Sequence, residues 1–303
     1  MLLRLLAVAV AVLPWGALAP LGRVVGWLAG SVLRIRRAHV EGAMRAAGID
    51  DPATAARGMY RSLGASSLEF LWLAGRGDEA MRRVRIDAAS EPSWREALAR
   101  DRGVVIAASH TGNWDLAACA IAKDVELAVV TKRLSVRALD AFWQSTRGAR
   151  GVVLFEALGA VRQTRAALAR GVAVAMMIDQ VPASPGRALR ATFLGRPALA
   201  DRAPAALAAS CGSPLVVAAS ARAADGDHVL YVLDVLVPPG RPGPRWIDEA
   251  TAAATAALDA FVRAHPTQWL WMHRRWKGLE AGTKLGACPM TPSSSRAAAS
   301  RAV

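Results

Sequence analysis

From Gly103 onward, short apolar runs alternate with stretches of helical periodicity. This alternation is typical of strands that cross over through helices into a largely parallel sheet. The run at residues 172–178 is apolar throughout, as expected of a central strand that is covered on both faces. The sequence therefore predicts an α/β fold in which helices flank a mostly parallel central sheet.

The predicted strands are short apolar runs, at residues 104–108, 125–130, 151–155, 172–178, 215–221 and 229–237. Four predicted helices lie between these strands and one follows the last of them, at residues 114–122, 136–145, 160–170, 203–210 and 247–264. Upstream, apolar side chains recur at helical spacing from residue 51 to about residue 100, which predicts a helical cap over the core.

The N-terminus carries two uncharged stretches, residues 5–22 and 24–33, which are separated only by Arg23 and followed by the basic run RIRR at residues 34–37. An apolar helical segment with a cationic flank is typical of chains held at an anionic membrane surface. Residues 1–37 are therefore predicted to form a membrane-associated helical anchor.

Two other interpretations of this N-terminus are weaker. A secretory signal peptide has a cleavage site available after Ala19, but Pro20 would follow the cut and normally blocks it. Residues 5–22 barely reach the length of a spanning helix, and Pro14 and Gly16 would bend it. An anchor that lies in or dips into one leaflet explains the pattern more economically.

Three segments are predicted along the chain: the anchor at residues 1–37, an α/β domain at 38–280 and a disordered tail at 281–303. A hydrophobic content of 53% is ample for the core of the central segment. The tail is rich in serine and alanine, a composition that does not favour a packed core. The three cysteines show no CxxC spacing, so neither a disulfide framework nor a zinc site is predicted.

The charge of the chain favours anionic partners. There are 38 basic and 24 acidic side chains, a formal net charge of +14. Phospholipid headgroups, phosphorylated substrates, acidic carrier proteins and nucleic acid all fit such an excess, although arginine supplies all but four of the cations and part of the bias can reflect genomic base composition. The sequence contains no recognised nucleic-acid module, so no nucleic acid partner is predicted. A membrane-tethered cationic binding protein remains the alternative to an enzyme.

The most chemically suggestive stretch is HTGNWD, which starts at His110. This histidine follows a predicted strand by two residues, and chemistry in open α/β sheets gathers beyond the carboxyl ends of strands. In a continuous helix His110 and Asp115 would lie about 140° apart, so their side chains can meet only if the chain bends. Gly112 permits a bend, and Thr111 or Asn113 can cap the following helix. We therefore predict that Asp115 accepts a hydrogen bond from the imidazole.

An imidazole that faces a substrate hydroxyl with one nitrogen and a carboxylate with the other is arranged as a general base. His110 and Asp115 are therefore the predicted catalytic pair, although a histidine near a helix start often only caps or packs. The amides near Asn113 and Trp114, or the cation of Arg133, are predicted to stabilise an oxyanion.

Other kinds of catalysis are not indicated. The chain has no GxSxG motif and no recognisable nucleophilic cysteine, so a substrate hydroxyl is the predicted nucleophile. No second histidine or cysteine stands at ligand spacing near His110, so no metal site is predicted.

Polar residues at two further strand ends are predicted to bind substrate. Lys132 and Arg133 can hold a phosphate, and the alternative is a solvated basic turn. Asp179 and Gln180 follow the buried strand at 172–178 and can contact substrate or fix the loop.

The C-terminal part of the predicted domain is rich in tryptophan and cations. This mixture fits a membrane-docking edge, and packing of the tryptophans in the core is the alternative. A lone histidine within it is interpreted as a packed or interfacial residue rather than a catalytic one. The residues are Trp269, Trp271, His273, Arg274, Arg275, Trp276 and Lys277.

Several motifs resemble the late-acting lipid A biosynthesis acyltransferases, the lauroyl and myristoyl transferases, which share an HxxxxD/E motif with glycerolipid acyltransferases. The HxxxxD/E motif is formed here by His110 and Asp115. The others occur in the family's order: TKRL at 131–134, MMIDQ at 176–180, FLGRPA at 193–198, GSPLV at 212–216 and QWLWMHRRWK at 268–277.

This resemblance implies a glycerolipid-acyltransferase-like fold and transfer of a fatty acyl chain to a hydroxyl of a lipid A precursor. The implied donor is an acyl carrier protein thioester or acyl-CoA, and the implied location is the cytoplasmic face of the inner membrane, among its lipids. No metal or organic cofactor is implied, and His110 is implied as base with Asp115 as its orienting partner. EALGAV at 156–161 departs from the arginine and acid of enteric members, so the acceptor is left open, and another glycolipid or a lysophospholipid is the alternative. The chain also lacks the EGTR-like motif of glycerol-phosphate and lysophosphatidate acyltransferases, which argues against those relatives.

Overall fold

The chain folds around a seven-stranded sheet, seen in a computed structural model that describes residues 2–277. The strands are β1 (Val84–Ile86), β2 (Val105–Ala108), β3 (Leu127–Thr131), β4 (Val153–Glu156), β5 (Ala173–Met177), β6 (Leu189–Phe193), β7 (Arg196–Ala200), β8 (Leu215–Arg222) and β9 (His228–Leu236). The helices are α1 (Leu2–Ala11), α2 (Trp15–Trp27), α3 (Arg37–Ala46), α4 (Pro52–Gly75), α5 (Gly77–Met81), α6 (Glu91–Leu98), α7 (Trp114–Asp124), α8 (Arg137–Gly148), α9 (Ala160–Ala169), α10 (Ala203–Cys211) and α11 (Pro244–Ala264). A π-helical turn at Leu28–Val32 follows α2.

The sheet has the order β1-β9-β8-β2-β5-β3-β4. Strands β8, β2, β5, β3 and β4 run parallel, whereas β9 pairs antiparallel with β8 and β1 runs parallel to β9 at the edge. Helices cover both faces, and β2 and β5 lie side by side at the centre. The predicted mostly parallel α/β sheet is confirmed.

The six strands and the five helices predicted from residue 103 onward are all present, with shifted ends. The predicted helical cap is interrupted, because the edge strand β1 lies between α5 and α6. The antiparallel hairpin of β6 and β7 was not predicted from the sequence. Its turn places Leu194 at φ 51° and Gly195 at φ 73°. Tight hairpin turns need positive φ and usually contain Asn-Gly or Asp-Gly, so Leu-Gly gives little sign of one.

The N-terminal helices pack against the long helix α4. At their crossing, a Cβ on Gly26 would lie 2.0 Å from the Tyr60 carbonyl oxygen, and one on Gly64 would lie 2.1 Å from the Gly22 carbonyl oxygen. Glycine at these positions therefore lets the two helix backbones approach closely. The Trp72 indole also donates a hydrogen bond of 2.9 Å to the Leu13 carbonyl oxygen.

The opposite faces of these N-terminal segments expose large apolar side chains: Leu2, Leu5, Leu6, Val8, Val12, Leu21, Val24, Val25, Trp27, Leu28, Val32, Leu33 and Ile35. Between residues 2 and 277, no single helix combines the length and apolarity needed to cross a bilayer. The stretches Trp15–Val32 and Arg37–Ala46 meet that requirement only together, and they are bent by 91°. The membrane anchor at 1–37 therefore stays a prediction, as does the domain at 38–280, and the tail predicted at 281–303 lies outside the described residues.

Candidate active site

His110 and Asp179 lie side by side because their strands do. Strands β2 and β5 pair in parallel with Ala108 opposite Met177, and each of the two polar residues follows its strand by two positions. Parallel strands end at the same edge of the sheet, so these side chains converge beyond it.

The Asp179 carboxylate holds the His110 imidazole in one orientation. Nδ1 of His110 donates to Oδ1 of Asp179 at 2.8 Å, and the His110 backbone N–H donates to Oδ2 at 2.9 Å. The Trp269 indole N–H donates to the same Oδ2 at 2.8 Å. In the neutral ring, a proton on Nδ1 leaves Nε2 unprotonated, and Nε2 makes no hydrogen bond among residues 2–277. This is the tautomer that a general base needs.

Burial and the partner carboxylate have opposite effects on the imidazole. Burial alone would lower the pKa of His110, but the charge and hydrogen bond of Asp179 outweigh it, so the pKa is raised above its ordinary value. The pKa of Asp179 is correspondingly lowered despite burial, because His110 and the hydrogen-bond donors around it favour the carboxylate. The pair therefore favours the imidazolium that forms when the base takes a proton.

The predicted hydrogen bond between His110 and Asp115 is wrong. Asp115 instead accepts hydrogen bonds from the Trp143 indole at 2.8 Å and from Nε of Arg147 at 2.7 Å. Asp115 lies in the first turn of α7 and contacts the neighbouring helix α8, which carries Arg147. The charged guanidinium of Arg147 can donate several hydrogen bonds to the carboxylate, which an imidazole cannot do. The Asp115 charge still contributes to raising the pKa of His110, so it acts on the ring without contacting it.

The predicted glycine bend between strand and helix is present. Gly112 has φ 60°, and the Asn113 side chain caps α7 by accepting a hydrogen bond of 3.1 Å from the Leu116 amide. The Gly112 amide donates to the Gln268 carbonyl oxygen at 3.0 Å. A Cβ on Gly112 would lie 2.6 Å from the Ser220 carbonyl oxygen, so the turn admits only glycine.

Gly112→Ala is expected to destabilise the protein by about 2–5 kcal/mol, because left-handed strain of about 1–2 kcal/mol adds to an overpacking term of about 1–3 kcal/mol. Gly159→Ala is the matched control, since Gly159 has φ 84° but nothing within 4 Å of its Cβ position. Urea unfolding of both variants measures the difference. Equal losses of stability in the two variants would contradict a close-contact role for Gly112.

A cavity of about 1250 Å³ opens beside the pair and is lined largely by apolar side chains of β2, β3, β5, α7 and α10. Its volume is at or above the upper end of the range for small-molecule sites, so it can hold a long apolar ligand. Five of the eight residues predicted for catalysis or substrate binding line it: His110, Trp114, Asp115, Lys132 and Gln180. The Trp114 ring packs edge-on against the imidazole with ring centres 5.0 Å apart.

Three other predicted binding residues, Asp179, Asn113 and Arg133, lie outside this lining. Asp179 is buried and accepts hydrogen bonds from His110 and Trp269, so its position fits the predicted loop-fixing role better than contact with substrate. Asn113 is buried and serves as the cap of α7, with its amide directed to α4. Arg133 is exposed and forms an ion pair of 3.1 Å with Glu156 from the neighbouring strand end. The alternative interpretation of Arg133, a solvated basic turn, therefore describes its position better than a phosphate site in the cavity does.

The chain was compared with known protein families and with curated proteins. The model of the bacterial lipid A biosynthesis acyltransferases matches residues 2–278, nearly the whole chain. The chain belongs to this family. No curated protein matches it. Family membership makes the protein an acyltransferase of lipid A biosynthesis, and the cavity beside His110 is its candidate active site.

The acyltransferase has more cations around its cavity than the sequence motifs indicate. Those missed from the sequence are Arg147, Arg165, Arg187 and Arg202. Arg147 pairs with Asp115, and Arg202 pairs with Asp248. Arg165, Arg187 and Lys132 have no acidic partner within 4 Å among residues 2–277. Arg165 comes from α9, Arg187 from the turn before β6 and Lys132 from the end of β3, and all three line the same cavity. Spacing along the chain therefore gives no sign of this set.

The tryptophans of the C-terminal segment are packed in the core of the acyltransferase. Trp269, Trp271 and Trp276 are 1%, 0% and 8% exposed, and each indole N–H donates to an acceptor inside the fold. Arg275 is also buried, donates to the Leu199 carbonyl oxygen at 2.7 Å, and has its pKa lowered by burial to about 10. The predicted membrane-docking edge is therefore wrong, and the core alternative is confirmed.

His273, in the same segment, has a structural role. Its Nε2 accepts a hydrogen bond of 3.2 Å from the Val181 amide, in the loop that follows Asp179 and Gln180. Burial lowers the pKa of His273, which favours the neutral ring that can accept this bond. The interpretation of His273 as a packed residue is confirmed by these contacts.

The raised pKa of His110 predicts the pH dependence of the acyltransferase. A general base must be unprotonated, so activity is expected to rise with pH as the imidazolium loses its proton. The midpoint of this acid limb in kcat/KM is expected above the ordinary imidazole pKa of about 6.5. A kcat/KM profile between about pH 5 and 9 measures it. A midpoint below the ordinary value would mean that burial, and not Asp179, controls the ring.

Proposed function

We propose that this acyltransferase moves a fatty acyl chain from an acyl carrier protein thioester to a hydroxyl of a lipid A precursor. The observation that carries the proposal is His110, held through Nδ1 by the Asp179 carboxylate, in the wall of a largely apolar cavity of about 1250 Å³. A cavity of this size and lining suits an acyl chain, and the base stands where the chain's carbonyl end can meet an alcohol.

In the proposed step, Nε2 of His110 takes the proton of the acceptor hydroxyl as its oxygen attacks the thioester carbonyl carbon. Asp179 stabilises the resulting imidazolium through Nδ1–H. The backbone N–H groups at the start of α7, which begins at Trp114, have no acceptor within the helix and are the proposed donors to the oxyanion. When the C–S bond breaks, the imidazolium returns the proton to the leaving thiolate. The proposed reaction uses no metal or organic cofactor.

The charge around the cavity supports an anionic amphiphile as substrate. Lys132, Arg165 and Arg187 line the cavity without acidic partners among residues 2–277, so they can hold a phosphate of the lipid acceptor or of the donor's phosphopantetheine arm. An acyl carrier protein and acyl-CoA both carry such a phosphate. The acidic carrier is the proposed donor because the chain is strongly basic.

The proposed place of action is the cytoplasmic face of the inner membrane. The apolar faces exposed by α1, α2 and the turn after them, together with the arginines at 34–37, support attachment of this N-terminal surface to anionic lipids. One face of these helices packs against α4, and the opposite, exposed face is the proposed lipid-contacting surface.

Purified protein incubated with acyl carrier protein thioesters, acyl-CoA, a lipid A precursor and a lysophospholipid tests the proposal. Mass spectrometry is expected to show one acyl chain gained by the lipid A precursor from the carrier-protein donor. Gain of mass by the lysophospholipid alone would mean that the acceptor is a lysophospholipid and not a lipid A precursor. Transfer from acyl-CoA alone would mean that the donor is acyl-CoA and not the carrier protein. Binding of anionic lipid without any transfer would favour a tethered binding protein.

A further inference from the structure

A buried carboxylate on α4 reaches the loop that carries His110. Glu69 is 1% exposed and accepts hydrogen bonds from Nδ2 of Asn113 at 3.1 Å, from Nε2 of His228 at 2.9 Å and from Nη2 of Arg222 at 2.9 Å. No motif of the sequence indicated this cluster, because its members lie on α4, on two strands and on the His110 loop.

Side chains and backbone of α4 form hydrogen bonds with two consecutive residues of the loop, Gly112 and Asn113. The Asn113 amide group also donates to the Ser66 carbonyl oxygen at 3.3 Å, while its oxygen caps α7. One turn before Glu69, the Ser66 hydroxyl donates to the Gly112 carbonyl oxygen at 3.2 Å. Both ends of the Asn113 side chain are thus committed, one to α4 and one to α7.

The opposite sides of the loop are held by other elements. The His110 carbonyl oxygen accepts from the Leu270 amide at 3.0 Å, and the Gly112 amide donates to the Gln268 carbonyl oxygen at 3.0 Å. The Thr111 carbonyl oxygen accepts from the Ser220 hydroxyl at 2.9 Å. Glu69 therefore completes a frame around the segment that carries the proposed base and the proposed oxyanion donors.

The composition of the cluster favours a positioning role over a purely stabilising one. Burial would raise the pKa of Glu69, but His228 and Arg222 outweigh burial and lower it, so the carboxylate is ionised. Replacing a buried ion cluster with apolar side chains is often neutral or stabilising, so its presence is poorly explained by stability. A charge-assisted hydrogen bond to Asn113 instead fixes the loop in one geometry.

We propose that Glu69 is a positioning residue for His110: through Asn113 it sets the backbone from His110 to Trp114 on which the base and the oxyanion donors depend. This inference rests on the proposed function of His110 as the general base. Glu69 does not line the cavity and is not proposed to touch substrate.

Glu69→Gln is the first variant, and His228→Gln is its matched control. His228 contacts Glu69 through its side chain but makes no hydrogen bond to the His110 loop within the part of the chain that the structure describes. We expect both variants to lower the melting temperature. Only Glu69→Gln should lower kcat, by about 10²-fold with KM little changed, because misplacement of the base by about 1 Å has that effect.

Exchanging the carboxylate of Glu69 and the amide of Asn113 distinguishes a positioning role of Glu69 from a purely stabilising one. Asn113→Asp places a second carboxylate against Glu69 and is expected to lose more activity than Glu69→Gln, although an aspartate can still cap α7. In the double variant, the amide introduced at position 69 can donate to the carboxylate introduced at position 113. The double variant is therefore expected to recover at least about tenfold in kcat over Asn113→Asp. Absence of any recovery would contradict the role of this contact.

The decisive readout does not need acyl transfer. The full-length protein has five histidines, so ¹⁵N-histidine NMR with assignment by His110→Asn can follow the His110 ring through a pH titration. In Glu69→Gln the His110 midpoint is expected to fall, because the loosened loop weakens the bond from Nδ1 to Asp179, whereas His228→Gln should leave it unchanged.

A folded Glu69→Gln protein with wild-type kcat and a wild-type His110 titration would overturn the proposal. If the wild-type protein transfers no acyl chain but Glu69→Gln still moves the His110 titration, the proposed function fails and the positioning of His110 by Glu69 stands.

Discussion

Replacing His110 with alanine is expected to lower the rate of acyl transfer by about 10²- to 10⁴-fold, the range typical of a lost general base. The imidazole lines the cavity, and the Asp179 carboxylate contacts its Nδ1. The fold should survive, because Asp179 keeps the hydrogen bonds from the backbone N–H of residue 110 and from the Trp269 indole when the imidazole is removed. Mass spectrometry of the acylated lipid gives the rate, and circular dichroism gives the melting temperature.

His265→Ala is the matched control for this variant. The His265 ring packs against Phe261 with ring centres 4.5 Å apart and does not line the cavity. We expect His265→Ala to lose some stability while the rate of transfer stays within about threefold of the wild type, as for a residue outside the chemistry. Near-normal turnover by a folded His110→Ala protein would rule out the proposed mechanism.

The second large effect is expected from Asp179→Asn. The amide cannot stabilise the imidazolium and can turn its NH₂ group toward Nδ1, which would place the ring proton on Nε2 and block the base. We expect kcat to fall by about 10²- to 10⁴-fold. The pKa of His110 should also fall, because its stabilising charge is lost, so the acid limb of the remaining activity moves to lower pH.

Asp115→Asn is the informative comparison, since the sequence motif alone assigns the orienting role to Asp115. Its replacement leaves Arg147 buried without its partner, and removal of one member of a buried ion pair typically costs about 3–5 kcal/mol of stability. We therefore expect Asp115→Asn to affect the melting temperature more than kcat, and Asp179→Asn to show the reverse. A larger kcat loss in a folded Asp115→Asn protein would return the orienting role to Asp115.

Much of the fold could be predicted because it depends on local patterns. Apolar runs of strand length alternate with helical periodicity, so the sheet, its crossovers and the bend at Gly112 follow from the order of the chain. The cap at Asn113 follows in the same way. Sequence also placed Asp179 near the site, because it ends a buried strand.

The partner of His110 could not be predicted from spacing. Asp115 is five residues away and fits a motif, whereas Asp179 is 69 residues away and reaches His110 only through the pairing of β2 with β5. Periodicity identifies strands but does not say which strands are neighbours. The choice between two carboxylates therefore depends on a tertiary contact, and the local contact was the wrong one.

The position of the tryptophans was left open between two interpretations, and Glu69 was missed, for a related physical reason. An indole beside cations fits either a membrane surface or a core, and only the positions of the hydrogen-bond acceptors decide between them. For Glu69 a weak signal exists: a single acid stands among apolar residues in SLEFLWLAG, on the buried face of α4. A lone buried acid requires partners, but the sequence does not indicate that they are Arg222, His228 and Asn113.

The protonation of the His110 ring nitrogens tests the assignment of its partner most directly. In long-range ¹H–¹⁵N spectra of the full-length protein above the pKa of His110, the wild-type ring is expected to carry its proton on Nδ1 and none on Nε2. This tautomer should persist in Asp115→Asn and be lost in Asp179→Asn. A wild-type ring protonated on Nε2, or a tautomer lost in Asp115→Asn and kept in Asp179→Asn, would contradict the assignment of Asp179 as the residue that prepares His110 for catalysis.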